Sequence, residues 1–239
     1  PPVRPGVTIS DYLTGVFAAQ AATAALYARD ARGGSGAVID AFLYGSVLRI
    51  LEWTLAGYDV LGVVREREGN RLTTSAPLDN YPTADGRYIC IVAGSDTNFS
   101  RLCKAMGRPE LVDDPRYATL ADRAARSDEI NDLVAAWTSS LATTEIEYRC
   151  IAEEVPVATA YTAADIFADP HMAARGDLVT VDDPVLGPVR QQAPFPRFVG
   201  AEPPVPAGAP RLGEHNEEVW GALGLDADEQ AGLHADGIL

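Results

Sequence analysis

A carboxylate at the head of a long run of small residues is the first feature of this chain equipped to do chemistry. In TISDYLTGVFAAQAATAALYARD, residues 8–30, Ser10 and Asp11 occupy the position of a helix N-cap. Small or apolar residues follow, with Gly15 the one glycine before the Arg29–Asp30 pair. Ala-rich faces approach their neighbours closely, so the pattern predicts a buried packing helix whose first turn carries one acid. Two readings of Asp11 stay open on spacing alone. Asp is among the best helix caps, and a carboxylate there is also held as the anion by the helix dipole. The dipole does not make it a strong nucleophile. That needs an activated acyl partner, such as a thioester, and donors for the developing oxyanion.

Other chemistries find little support. His171, His215 and His234 are far apart and form no ligand-spaced pair, so no metal site is expected. No Gly-x-Ser-x-Gly elbow supports a serine triad. The RGGSGAV turn follows a helix instead of a strand, which removes the context a dinucleotide loop requires. A formal charge of −15 argues against nucleic acid or an anionic membrane surface as partner. Three scattered cysteines, Cys90, Cys103 and Cys150, without a Cys-x-x-Cys pair, read as core thiols in a reducing, cytoplasmic setting. No signal peptide is expected, and the polar breaks in the first helix exclude a membrane span.

The elements that must position Asp11 come next. The 239 residues, 47% hydrophobic and 22% charged, suffice for a substantial core. Phe42, Leu43, Val47, Leu48, Leu51 and Leu55 predict a second helix over 40–55. The polar VVREREGNRLTT is the exit from this first region. Asp85-Gly86 predicts a hairpin, and the continuous run Tyr88–Val92 predicts a strand covered on both faces. Helices are expected in SDTNFSRLCKAMG, stopped by Gly107 and Pro109, and in SDEINDLVAAWTSSL. Two more are expected in TTEIEYRCIAEE, opened by a Thr144/Glu147 capping box, and in TAADIFADP. GDLVTVDDPVLGPVRQQA reads as two strands joined by a turn. An extended proline-rich passage suited to a partner surface follows, and helices over about 217–223 and 226–235 close the chain. PPVRPGVTIS reads as a linker into the first helix. The two ends make no obvious core of their own, which predicts docking onto a missing segment or another subunit.

The run Asp11-x-x-x-Gly15 followed by AALYARDARGGSGAVIDA resembles the nucleophile region of the class III coenzyme A transferases. These are the formyl-CoA transferase and carnitine or bile-acid CoA-transferase family, whose fold α-methylacyl-CoA racemase shares. The likeness continues in order through APLDNYPTADGRYICI, FSRLCKAMGRPEL, DDPRYATLADRAARSDEIN, VPVATAYTAADIFADPHMAARG and APRLGEHN. It implies an α/β protein, an interlocked dimer in which a Rossmann-like large domain, incomplete in this chain, meets an α+β small domain. Residues 1–60 would be the large-domain segment with the nucleophile helix, 61–192 the small domain and 193–239 the return to the large domain.

The resemblance further implies that Asp11 attacks an acyl-CoA thioester and passes through an aspartyl-CoA thioester before a carboxylic acid takes the CoA. CoA is then a substrate, with no permanently bound cofactor, and a homodimer or a partner chain supplies the missing N-terminal half. Gly15 and Asp96 are the residues expected in the substrate or CoA vicinity, Asp96 falling near a racemase glutamate, while a helix cap explains Asp96 equally well. The likeness departs at Gly34-Ser35-Gly36-Ala37, which lacks the family's Gln, and at Phe42, where Ser is usual. It departs again between Gly57 and Asn80, where no tetraglycine loop occurs. Alternatives carried alongside are an acyl-CoA epimerase using Asp11 as a proton shuttle and a non-catalytic partner subunit.

Overall fold

In the computed structural model, residues 5–201 and 207–239 are described; Pro1–Arg4 and Glu202–Pro206, which include parts of the predicted linker and proline-rich passage, lie outside. The chain divides into two compact units, residues 1–69 and 70–239.

The first unit is helical. Helix α1 runs Ile9–Arg32 and is closed by Gly33 in the left-handed region, where a residue without Cβ carries no steric penalty. Its N-cap is Thr8, two positions before the predicted cap at Ser10–Asp11, so Asp11 stands inside the first turn. No residue of α1 is buried, contrary to the packing helix expected, because its main packing neighbour among the described residues of this unit is the short α2, Leu43–Arg49. The single helix predicted over 40–55 is split. Residues 33–42 are irregular, Glu52 adopts φ 51°, and α3 restarts at Thr54–Leu61. The apolar spacing was right for each piece, but a non-glycine residue at positive φ cannot continue a right-handed helix.

The second unit holds the core. Strands β1 (Leu78–Pro82), β2 (Tyr88–Val92) and β3 (Val157–Thr159) form an antiparallel sheet in that order, with Tyr81 opposite Ile89 and Cys90 opposite Ala158. The β1–β2 hairpin turns at Asp85-Gly86 as predicted, Gly86 supplying φ 76°. Only one face of β2 is covered, by Ile89 and Ile91, while Tyr88 and Val92 on the other face are exposed. The expected two-sided burial is corrected: the run is apolar throughout, but helices cover one side.

Those helices are α4 (Asp96–Ala105), α6 (Ser127–Thr138) and α7 (Thr143–Ala152), with the short α5 (Leu120–Ala125) before α6. Phe99, Leu102, Ile130, Val134 and Ile146 meet Tyr81, Ile89 and Ile91 in one buried cluster. Each fully buried aliphatic or aromatic side chain of this kind contributes about 1.5–3 kcal/mol. Cys103 and Cys150 are buried within it, their thiols pushed up to about 12 by burial, and Cys90 is half-buried.

The Thr144/Glu147 capping box does not form. Helix α7 starts one residue earlier, and its first N–H, that of Thr143, donates to Asp85 Oδ2 at 3.2 Å from the hairpin turn. Glu147 instead accepts from the Thr159 hydroxyl. A capping box is made at Thr162/Asp165, opening α8 (Ala163–Ala168), and Pro170 begins α9 (Pro170–Arg175) instead of merely ending α8. Hairpin β4 (Leu178–Asp183) with β5 (Gly187–Gln192), then α10 (Asn216–Ala222) and α11 (Ala227–Ala235), form close to where the sequence predicts these elements.

Candidate active site around Asp11

Asp11 is exposed on the first turn of α1, and its Oδ2 accepts a hydrogen bond from Ser10 Oγ at 3.1 Å. No cation pairs with it among the described residues. Its backbone position directs the carboxylate toward the helix end where unpaired N–H groups concentrate positive charge. Gly15 lies one turn further along the same face, and a Cβ there would meet nothing within 4 Å. Asp11, Gly15, Thr8, Tyr12 and Val16 line an open concavity of about 410 Å³. An ionised acid thus faces solvent beside a small residue, on a wall that is otherwise apolar.

What fixes this turn is a group of hydroxyls the sequence reading did not single out. Thr14 Oγ1 lies 2.7 Å from the Ser10 carbonyl and 3.0 Å from Ser46 Oγ. Ser46 Oγ lies 3.2 Å from that same carbonyl and 2.7 Å from that of Leu43. Ser46 is only 6% exposed, the one buried polar residue among the described residues of the first unit. Its neighbour Gly45 lets the backbone approach the Phe42 ring, since a Cβ there would sit 2.3 Å from the ring edge. The one signal in the sequence was the small pair Gly45-Ser46 interrupting an apolar helix.

Asp96 belongs to the second unit. Ser95 is the N-cap of α4, accepting from Asn98 N, so Asp96 is not the cap. Asp96 Oδ1 receives Arg123 Nη2 at 2.6 Å. Arg123 is wholly buried, donating also to the carbonyls of Ala76 (3.2 Å), Tyr117 (2.8 Å) and Gly94 (2.7 Å), with its guanidinium 4.5 Å from the Phe99 ring centre. One oxygen of Asp96 therefore neutralises a buried cation. Among the described residues no cluster of three His, Cys, Asp or Glu side chains is placed to hold a metal, and no helix is long and apolar enough to cross a membrane.

The chain belongs to CoA-transferase family III, whose model matches residues 1–216. It is 40% identical to the succinyl-CoA--D-citramalate CoA-transferase of Chloroflexus aurantiacus, over all of this chain and 60% of that protein. It is 37% identical to the succinyl-CoA--L-malate CoA-transferase beta subunit of the same organism, over 96% of this chain and 57% of that one. Among solved structures, a CAIB/BAIF family protein from Brucella suis superposes with a TM-score of 0.74 at 30% identity, covering 93% of this chain and 57% of that one. The chain thus spans less than two thirds of the length of these relatives.

Proposed function

We propose that the protein moves CoA from an acyl-CoA thioester of the succinyl-CoA kind to a small carboxylic acid, and that Asp11 carries the CoA between them. The observation that carries this reading is the exposed Asp11 carboxylate on an open, otherwise apolar concavity, with Oδ1 unengaged among the described residues. The names of the relatives, which pair succinyl-CoA with D-citramalate or L-malate, support the substrate class.

The chemistry proceeds through two acyl exchanges. Asp11 Oδ1 attacks the thioester carbonyl carbon; the C–S bond breaks, giving a mixed anhydride and CoA thiolate. The thiolate attacks the Asp11 carbonyl of that anhydride and expels the donor's carboxylate, leaving an aspartyl-CoA thioester. The acceptor carboxylate then attacks this thioester, CoA thiolate leaves, and its attack on the acceptor's acyl carbon releases the new acyl-CoA and restores Asp11. No net proton, oxidant or metal is required. Gly15 keeps the approach to Asp11 open. A second protomer or partner chain completes the substrate pocket in this reading.

Incubation with succinyl-CoA, borohydride reduction and peptide mass spectrometry test it. Asp11 reduced to the homoserine-type alcohol is the expected product. Transfer that proceeds without modification of Asp11 overturns the assignment, and α-hydrogen exchange in deuterated water without any acceptor acid points to epimerisation instead.

A further inference from the structure

Among the described residues of the first unit one polar side chain is buried, Ser46, and it sits against the residue that precedes Asp11. Each hydroxyl carries one proton and two acceptor lone pairs. Thr14 Oγ1 and Ser46 Oγ therefore supply two protons to the three oxygens within reach: the Ser10 carbonyl, the Leu43 carbonyl and Ser46 Oγ itself. The shortest contacts, both 2.7 Å, take Thr14 Oγ1–H to the Ser10 carbonyl and Ser46 Oγ–H to the Leu43 carbonyl within each helix. The contacts that link α1 to α2 are Thr14 Oγ1–H to Ser46 Oγ at 3.0 Å and Ser46 Oγ–H to the Ser10 carbonyl at 3.2 Å. That carbonyl lies in the peptide joining Ser10 to Asp11. The Ser10 hydroxyl in turn donates to Asp11 Oδ2.

We infer that Ser46, acting with Thr14, is a positioning residue for Asp11. It pins the first turn of α1 to α2 at the peptide that carries the nucleophile, while Ser10 holds Oδ2 and leaves Oδ1 to attack. The inference rests on the proposed role of Asp11. Its physical basis is that helix first turns fray, since their N–H groups lack intrahelical partners. A tertiary clamp at this turn replaces that freedom with one orientation. Near-attack geometry is demanding: misplacement of reacting groups by about 1 Å costs up to roughly a hundredfold in rate.

The test compares rapid-quench rates of aspartyl-CoA formation from succinyl-CoA in wild type, Ser46→Ala, Thr14→Val and Thr14→Ser. Thr14→Val keeps the shape and removes the hydroxyl; Thr14→Ser keeps the hydroxyl. The expected result is a loss of about tenfold or more in the adduct-forming rate for Ser46→Ala and Thr14→Val. The KM for succinyl-CoA should be unchanged, Thr14→Ser should approach wild type, and the Ser46→Ala/Thr14→Val double variant should be no slower than either single one. A purely structural role would move the melting temperature without this split between kcat and KM. Wild-type rates in both hydroxyl-free variants, or an equal loss in Thr14→Ser, overturn the positioning role while leaving the adduct at Asp11 standing. Absence of any adduct in wild type overturns the nucleophile reading and the positioning role with it.

Discussion

Replacing Arg123 with Met removes the guanidinium while keeping most of the apolar stem over Phe99. Three buried carbonyls, of Ala76, Gly94 and Tyr117, then lose their donor, and Asp96 loses its cation. Hydrogen bonds to a charged group contribute about 1.5–3 kcal/mol each, so the gross loss over the four is about 6–12 kcal/mol. Against this stands the desolvation of a cation whose side chain is 1% exposed, worth several kcal/mol and relieved by the substitution. Removing one partner of a buried pair costs about 3–5 kcal/mol overall. Because Asp96 is 68% exposed and resolvates readily, the lower end applies, near 3 kcal/mol. Arg123→Lys keeps the charge but loses the planar fork that serves four oxygens, and should recover less than half of the loss. Urea unfolding followed by far-ultraviolet circular dichroism reads the effect. With a slope near 2 kcal/mol per molar, the midpoint for the second unit should fall by roughly 1.5 M. A midpoint for Arg123→Met within about 0.3 M of wild type, at unchanged slope, refutes the view that this cation ties β1, α4 and the 117 loop together.

Other perturbations follow from the same geometry. Asp11→Asn should abolish CoA transfer and the trapped adduct while leaving the circular dichroism spectrum and melting temperature essentially unchanged, since the side chain is exposed and bonded only to Ser10 among the described residues. Asp85 is held down at about 2, first by the Thr83 hydroxyl and then by the Thr143 hydroxyl and N–H. A carboxyl lowered in the folded state stabilises fully above its unfolded value near 4, and that contribution disappears as pH falls toward about 2. Asp85→Asn should therefore be less stable at neutral pH and show a shallower loss of stability between about pH 4 and 2 in urea titrations at stepped pH. Asn131→Leu strips the partners from the buried Tyr81 hydroxyl and the Leu78 N–H, and should cost about 2–4 kcal/mol in the same assay.

Much of the local structure was legible because its determinants are neighbours in sequence. Asp85-Gly86 supplies the conformations a tight hairpin needs, Gly107 and Pro109 stop α4, and the Ile130–Val134 spacing marks the buried stripe of α6. Asp11 was legible as a candidate because an acid opening an Ala-rich helix stood first in an ordered series of short motifs. That Asp11 lies within the first turn and faces an open wall is set by where α1 begins, which the local pattern left two residues uncertain.

The remaining determinants are long-range. Asp85 caps α7 from 58 residues away, displacing the Thr144/Glu147 box that sequence spacing favoured, because a carboxylate already fixed in a hairpin reaches the Thr143 N–H at little entropic cost. Ser46 meets the Ser10 carbonyl across 36 residues, and Arg123 gathers acceptors spread between Ala76 and Tyr117. Periodicity and turn chemistry report on a residue's neighbours along the chain. Which hydroxyl or cation fills a buried polar position depends on which segments pack together, and the folded chain alone decides that.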